Sequence, residues 1–245
     1  MSGLASKILL LGGTSEAQEL AAALKREGLS FVVSLAGRAR ADYPGPTRVG
    51  GFGGVEGLAA VLRDGEFTHI VDATHPFAAE ISPGAARAAA ATGARYLRLE
   101  RPPWRAGPHD RFVDVASAGE AAAALPAGAC AFLTLGARNL APFLARRDLR
   151  LVVRAITRPD LGGRDDIAVI EARGPFALDP ERALWNAHDF DALVTKNAGG
   201  TASEAKLVVA RERGIPVVMI ARPAGQPPAD AGTADALMAR LLASR

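Results

Sequence analysis

The residues able to bind anions or move protons fall in short glycine-rich or polar stretches, each directly after an apolar run. Lys7-Ile8-Leu9-Leu10-Leu11 leads into Gly12-Gly13-Thr14-Ser15-Glu16, and a second run ending at Leu35 leads into Ala36-Gly37-Arg38. Further along come Gly50-Gly51-Phe52-Gly53-Gly54, Ala73-Thr74-His75-Pro76-Phe77, Gly136-Ala137-Arg138-Asn139 and Lys196-Asn197-Ala198-Gly199-Gly200-Thr201. Glycines let backbone N–H groups approach an anion, and the first turn of a following helix adds unpaired donors and the positive end of a dipole. Gly12, Gly13, Thr14 and Ser15 are therefore candidate phosphate ligands, with Glu16 nearby and Thr14 or Ser15 available to cap the helix. Taken alone, the loop is equally an ordinary strand-to-helix turn, since its spacing is not Gly-x-Gly-x-x-Gly.

Arg38 stands just beyond the second apolar run, where a dinucleotide fold places its ribose-recognition residue. An acid there favours a free 2′-hydroxyl, whereas Arg38 with Ser34 favours a 2′-phosphate and hence NADP over NAD; the alternative is a solvated surface arginine. His75, between Thr74 and Pro76, is the candidate acid at the rim of a site, although a lone histidine is more often a structural hydrogen-bonder. Pro76 suits the first turn of a helix over 77–92. Lys196 at a strand end would place a cation where anionic cofactor or substrate groups lie, and Lys206, farther into the next helix, is expected to face solvent. Serine-hydrolase chemistry lacks its Gly-x-Ser-x-Gly elbow, and a P-loop lacks its lysine.

These stretches need a scaffold that presents strand ends together. Short apolar runs at 7–11, 30–35, 68–72 and 96–99 alternate with helical patterns at 15–27, 55–64 and 77–92, the grammar of a parallel sheet covered on both faces. Gly28 and Gly93 sit just past helix ends, where a left-handed cap wants glycine. Glu100-Arg101-Pro102-Pro103-Trp104-Arg105-Ala106-Gly107-Pro108 breaks both periods and reads as a linker over 101–108, with Trp104 as a packing anchor or a ligand-stacking face. Strands follow at 131–135, 151–155, 168–170, 192–195 and 217–220, with helices at 117–125, 142–147, 180–188, 202–213 and 233–244. The expectation is an α/β protein of two Rossmann-like parallel-sheet domains, 1–100 and 109–245, with the active site in the cleft between them.

Composition narrows the partners. The 245 residues, 49% hydrophobic and 22% charged, describe a globular chain. No apolar run approaches the roughly 18 residues of a membrane span, and no N-terminal signal is evident, so a cytoplasmic protein is expected. The single cysteine, Cys130, rules out an internal disulfide, and the histidines are scattered, so no protein-held metal is expected. Only Lys7, Lys25, Lys196 and Lys206 are lysines; the other basic residues are arginines, whose forks match carboxylates and phosphates. With 5% aromatics and a net charge of +3, nucleic acid is a poor fit.

Taken as an ordered set, the strand ends resemble the precorrin-6A reductase family of cobalamin biosynthesis. The resemblance rests on Leu11-Gly12-Gly13-Thr14-Ser15-Glu16-Ala17, Gly51-Phe52-Gly53-Gly54, Asp72-Ala73-Thr74-His75-Pro76-Phe77-Ala78, Leu99-Glu100-Arg101-Pro102-Pro103-Trp104, and Thr195-Lys196-Asn197-Ala198-Gly199-Gly200 followed by Lys206. Ala198 departs from the serine expected in that pattern. The resemblance implies an NADPH-dependent reduction of one double bond in a tetrapyrrole bearing many carboxylates, giving precorrin-6B. It implies that Gly12, Gly13, Thr14, Ser15, Glu16, Ser34 and Arg38 serve the cofactor, and that Thr74, His75, Lys196 and Asn197 line the nicotinamide and ring site. Arg138, Gly199 and Gly200 are the implied substrate contacts, and His75 is the one evident proton donor. A monomer is expected, with transfer of intermediates to neighbouring pathway enzymes. Two other readings compete. A short-chain dehydrogenase lacks its Tyr-x-x-x-Lys pair here, because Tyr43 and Tyr96 are followed four residues on by Thr47 and Glu100. A non-catalytic NADP sensor would bind dinucleotide without turnover.

Overall fold

A computed structural model describes residues 6–37 and 42–243. The chain forms two units: Met1–Pro102 together with Pro223–Arg245, and Pro103–Arg222. In the first unit, β1 (Lys7–Leu11), α1 (Ser15–Arg26), β2 (Ser30–Leu35), β3 (Thr47–Val49), α2 (Val55–Asp64), β4 (His69–Asp72), α3 (Ile81–Thr92) and β5 (Arg95–Arg98) follow in order. Their strands make one parallel sheet ordered β3-β2-β1-β4-β5. The apolar run of β1 is continuous because both of its faces are covered. Ile8 and Leu10 join the cluster that holds Leu20 and Leu24 of α1, while Leu9 and Leu11 join the cluster with Leu58 and Leu62 of α2 and Ala85 and Ala88 of α3.

Two features of this unit differ from the sequence expectation. The edge strand β3 is three residues long with no apolar run, so periodicity did not reveal it. Helix α3 begins at Ile81 rather than at 77. The Asp72 side chain accepts the Thr74 N–H at 3.0 Å and the Ala78 N–H reaches the His75 carbonyl at 2.7 Å, which folds the segment after β4 into turns of its own. Pro76 therefore lies in a turn ahead of the helix, and Pro83 occupies the first turn instead, where a missing N–H costs nothing. The C-cap of α3 is Gly93, at φ 75°.

The second unit runs through β6 (Phe112–Val115), α4 (Ala118–Ala123), β7 (Cys130–Thr134), α5 (Ala141–Leu144), β8 (Arg150–Ala155), β9 (Ala168–Glu171), α6 (Leu178–Ala187), β10 (Ala192–Lys196), α7 (Ala205–Glu212) and β11 (Val217–Ile220). Its six strands are parallel and ordered β6-β11-β10-β7-β8-β9. The edge strand β6 is the other element without a sequence signal, since its middle residues, Val113 and Asp114, are exposed. On one face Phe132 stacks on Phe190 with centroids 4.7 Å apart, and Trp185 meets both edge-on. Beneath them a buried Arg154 donates to Glu181 Oε2 at 2.6 Å, while Glu181 Oε1 accepts the Trp185 indole N–H at 3.2 Å.

The C-terminal helix α8 (Ala234–Leu242) belongs to the first unit, which corrects a second domain drawn as 109–245. Leu237, Met238 and Leu241 are buried in the same cluster as Ile8 and Leu10 of β1 and Leu20 and Leu24 of α1, so α8 completes the core that α1 builds on the sheet. Ahead of α8, Asp230 accepts the Arg98 N–H at 2.8 Å and Ala231 pairs in parallel with Leu99 beyond β5. Among the described residues no helix is long and apolar enough to cross a membrane, and no group of acidic, histidine and cysteine side chains is disposed to hold a metal ion.

Candidate functional site

In a parallel sheet, ligands bind outside the carboxyl ends of the strands where the strand order reverses. In the first unit that point lies between β1 and β4, whose following loops are tied directly: the Thr14 hydroxyl donates to the Ala73 carbonyl at 2.8 Å. The same oxygen accepts the Ala17 N–H at 3.1 Å, so Thr14 is the N-cap of α1. A pocket of about 590 Å³ opens there. Gly12, Gly13, Ser34, Thr74 and His75, all named from the sequence, line it together with Phe52. An apolar flank comes from Val55 and Leu58 of α2 and Ile81 of α3, with the exposed Arg87 at its edge. Ser15 and Glu16 stand at the start of α1, outside the lining; the Ser15 hydroxyl donates to Glu16 Oε2 at 3.1 Å, which also receives Arg101 at 2.6 Å. Arg38 lies outside the described residues.

The glycine turn is held from one side. Gly13 adopts φ 117°, a conformation that favours glycine, and its N–H donates to the Tyr43 hydroxyl at 2.9 Å. A Cβ at Gly12 would come within 2.9 Å of the same hydroxyl and 3.0 Å of Val33, so this glycine is demanded by packing as well as by any ligand. Burial raises the Tyr43 phenol above its usual range, partly offset by the Gly13 N–H. Arg48 donates to Ser34 Oγ at 2.9 Å and to the Gly50 and Gly51 carbonyls at 3.3 Å, with its guanidinium 4.2 Å from the Phe52 ring centroid. The sequence alone gives neither Tyr43 nor Arg48 a place at this turn; for Arg48 the signal was its position just ahead of the glycine stretch that carries Phe52.

On the β4 side the buried Asp72 organises the loop. Its Oδ1 accepts the Thr74 N–H at 3.0 Å and the Thr74 hydroxyl at 2.7 Å, and its Oδ2 accepts the Tyr96 hydroxyl at 2.9 Å. Burial together with the Asp72 charge drives the Tyr96 phenol far above its ordinary range, so Tyr96 stays a donor. His75 Nδ1 lies 3.2 Å from the Phe77 N–H and accepts it, which in the neutral ring assigns the proton to Nε2.

The second unit has an analogous reversal between β7 and β10, flanked by the 136–139 and 196–200 turns. Lys196 ends β10, and burial, with the Arg138 charge adding, lowers its pKa. Gly199 and Gly200 follow at φ 69° and 74°. The Asn197 side chain accepts the Trp104 N–H at 2.8 Å and donates to the Trp104 carbonyl at 3.0 Å. The Trp104 indole N–H reaches the Gly200 carbonyl at 3.1 Å, and Arg222 donates to the Asn197 and Ala198 carbonyls. Asn197 thus clasps its own unit, and Trp104 is the packing anchor of the turn. Lys206 does not face solvent, which corrects the sequence expectation. It is 4% exposed, donates to Thr134 Oγ1 at 3.0 Å and lies 5.5 Å from the Trp104 ring centroid. Burial lowers its pKa to about 7, with Arg154 adding to the effect and Glu181 opposing it.

Comparison with known proteins places this arrangement. The family model described as Precorrin-6x reductase CbiJ/CobK matches residues 7–241. The precorrin-6A reductase of Rhodococcus erythropolis is 46% identical over 222 residues, covering 89% of this chain and 90% of that protein. The precorrin-6A reductase of Rhodobacter capsulatus is 44% identical over 224 residues, covering 89% of each. A solved structure titled CobK precorrin-6A reductase matches with a TM-score of 0.91 at 41% identity, covering 97% of this chain and 96% of that one. Matched from its first strand into its last helix, the chain belongs to the precorrin-6x reductase family, oxidoreductases of cobalamin biosynthesis that act on a CH–CH group.

Proposed function

We propose that this chain reduces one double bond of the precorrin-6A macrocycle, giving precorrin-6B, with NADPH held by its first unit. The observation that carries the cofactor reading is the glycine turn at the β1/β4 reversal, opening on a pocket of about 590 Å³. NADPH fits these residues: the first-turn N–H groups of α1 have no intrahelical acceptor, and Gly12 and Gly13 present bare backbone beside them. Bound there, NADPH supplies the hydride. The main chain from Gly12 to Glu16 would hold its pyrophosphate, while Ser34, Arg48 and, from its place in the sequence, Arg38 would recognise the 2′-phosphate. Thr74, fixed by Asp72, sets the floor beside the nicotinamide, and His75 holds a proton at Nε2 for the reduced ring.

In the second unit, Arg138 and Lys196 bring positive charge to the β7/β10 reversal, which suits a substrate with many carboxylates. Gly199 and Gly200 leave backbone bare where a broad ring would pass. This assignment leaves the protein chiefly orienting two reactants, the role expected when the cofactor carries the reactive hydrogen. The test is anaerobic incubation with NADPH and precorrin-6A, following nicotinamide oxidation and a product heavier by two hydrogens. The Arg38→Ala variant is expected to lose preference for NADPH over NADH. No NADPH consumption under conditions where a known reductase turns over would reject the reading.

A further inference from the structure

The N–H that the glycine turn offers first to an anion is already in use. Gly13 donates to the Tyr43 hydroxyl at 2.9 Å, and that oxygen sits over Gly12 in the space a side chain would fill. The position of Tyr43 is built from several contacts. The segment Pro44-Gly45-Pro46 follows it, with the Pro46 carbonyl accepting the Val33 N–H at 2.9 Å and Gly45 pressed so close to the Phe31 ring that a Cβ there would clash at 2.6 Å. The Tyr43 ring itself packs against the cluster that contains Phe31, Val33 and Leu35. A phenol oxygen accepting this N–H does what a phosphate oxygen does at such a turn, but without charge and hence with a weaker bond.

We infer that the Tyr43 hydroxyl is a built-in stand-in for a phosphate oxygen: it occupies the Gly13 N–H and must release it when a dinucleotide takes the turn. The inference rests on the cofactor reading above and adds a residue that sets affinity. While Tyr43 holds Gly13, the turn keeps its φ 117° backbone with its donor satisfied. On binding, one neutral hydrogen bond is exchanged for one to a charged phosphate, so the exchange runs forward and subtracts the neutral bond from the affinity. Tyr43 is thereby a competitor of the cofactor rather than a ligand to it.

The two roles predict opposite signs. Tyr43→Phe keeps the ring and its packing and deletes only the hydroxyl. Calorimetric titration of the full chain with NADPH is expected to give a Kd lower by roughly fivefold, the equivalent of one neutral hydrogen bond. Adenosine 2′-monophosphate, which lacks the pyrophosphate, is expected to bind both proteins equally. An NADPH affinity that is unchanged or weaker in the variant overturns the inference, as does an equal gain for adenosine 2′-monophosphate. If the wild type itself fails to bind NADPH, the cofactor reading falls and takes this inference with it. Should the variant not fold, the wild type still decides. Its two tyrosines can be labelled as 3-fluorotyrosine, and the Tyr43 fluorine resonance is expected to move on saturation with inorganic pyrophosphate. A resonance that stays fixed refutes the exchange.

Discussion

Lys206→Met is expected to stabilise the second unit at neutral pH and to flatten its response to pH. The folded pKa is about 7, against 10.5 for the free side chain. Below pH 7 both folded and unfolded chains carry the proton, and the burial penalty is fully present. Between pH 7 and 10.5 the unfolded chain binds the extra proton, so stability rises with pH as the penalty is relieved. The whole window corresponds to about 5 kcal/mol, of which about 2 kcal/mol falls between pH 7 and 9. Methionine keeps the volume but gives up the bond to Thr134 and the attraction to Trp104, each about 1 kcal/mol, which leaves a net gain of about 2 kcal/mol at pH 7. Both tryptophans, Trp104 and Trp185, lie in this unit, so urea unfolding followed by tryptophan emission at pH 7, 8 and 9 reads it selectively. Other groups also titrate: burial pushes the Cys130 thiol up, a contribution of opposite sign, but it is common to both proteins and cancels in their difference. Parallel stability curves for wild type and variant would refute the reasoning.

The remaining predictions concern packing. Glu181→Ala strands the buried Arg154 guanidinium and the Trp185 indole N–H, and is expected to cost about 3–5 kcal/mol in the same urea assay. The double variant Arg154→Met with Glu181→Leu is expected to recover most of that loss; a double variant no better than the single would show that the pair is worth more than its desolvation. Leu237→Ala opens a cavity between α8 and α1 and is expected to cost the first unit about 2–5 kcal/mol, measured as a lower midpoint in thermal unfolding by circular dichroism. An unchanged midpoint would mean that α8 does not complete that core.

The fold was legible wherever a strand is buried on both faces. The runs Lys7–Leu11, Ser30–Leu35 and Val217–Ile220 announce themselves because apolar residues fill most of their positions, as a covered parallel strand requires. Strands β3 and β6 did not, since an edge strand has only one neighbour to satisfy and keeps polar or exposed residues. The glycine turns were legible as a set because each ends an apolar run. Their partners were not: Tyr43 lies 30 residues from Gly13, and Thr134 lies 72 residues from Lys206. A helical period with a charge in it reads as a solvated face, and nothing local in α7 tells that Lys206 shares its buried side with Leu207, Val209 and Ala210. For Asn197 the glycine turn beside it was legible, but its pairing with the backbone of Trp104, 93 residues away along the chain, was not.

The return of α8 to the first unit has a consequence for how the protein is made. A ribosome releases the chain from its N-terminus, yet the cluster around Leu20 and Leu24 needs Leu237, Met238 and Leu241. All of Pro103–Arg222 therefore emerges before the earlier unit has its last wall. The later-encoded unit is the one able to finish first, reversing the usual order in which domains mature during synthesis. Until translation nears its end, the apolar cluster around Leu20 and Leu24 lacks the α8 side chains that close it, and the nascent chain presents that surface to whatever chaperones attend it.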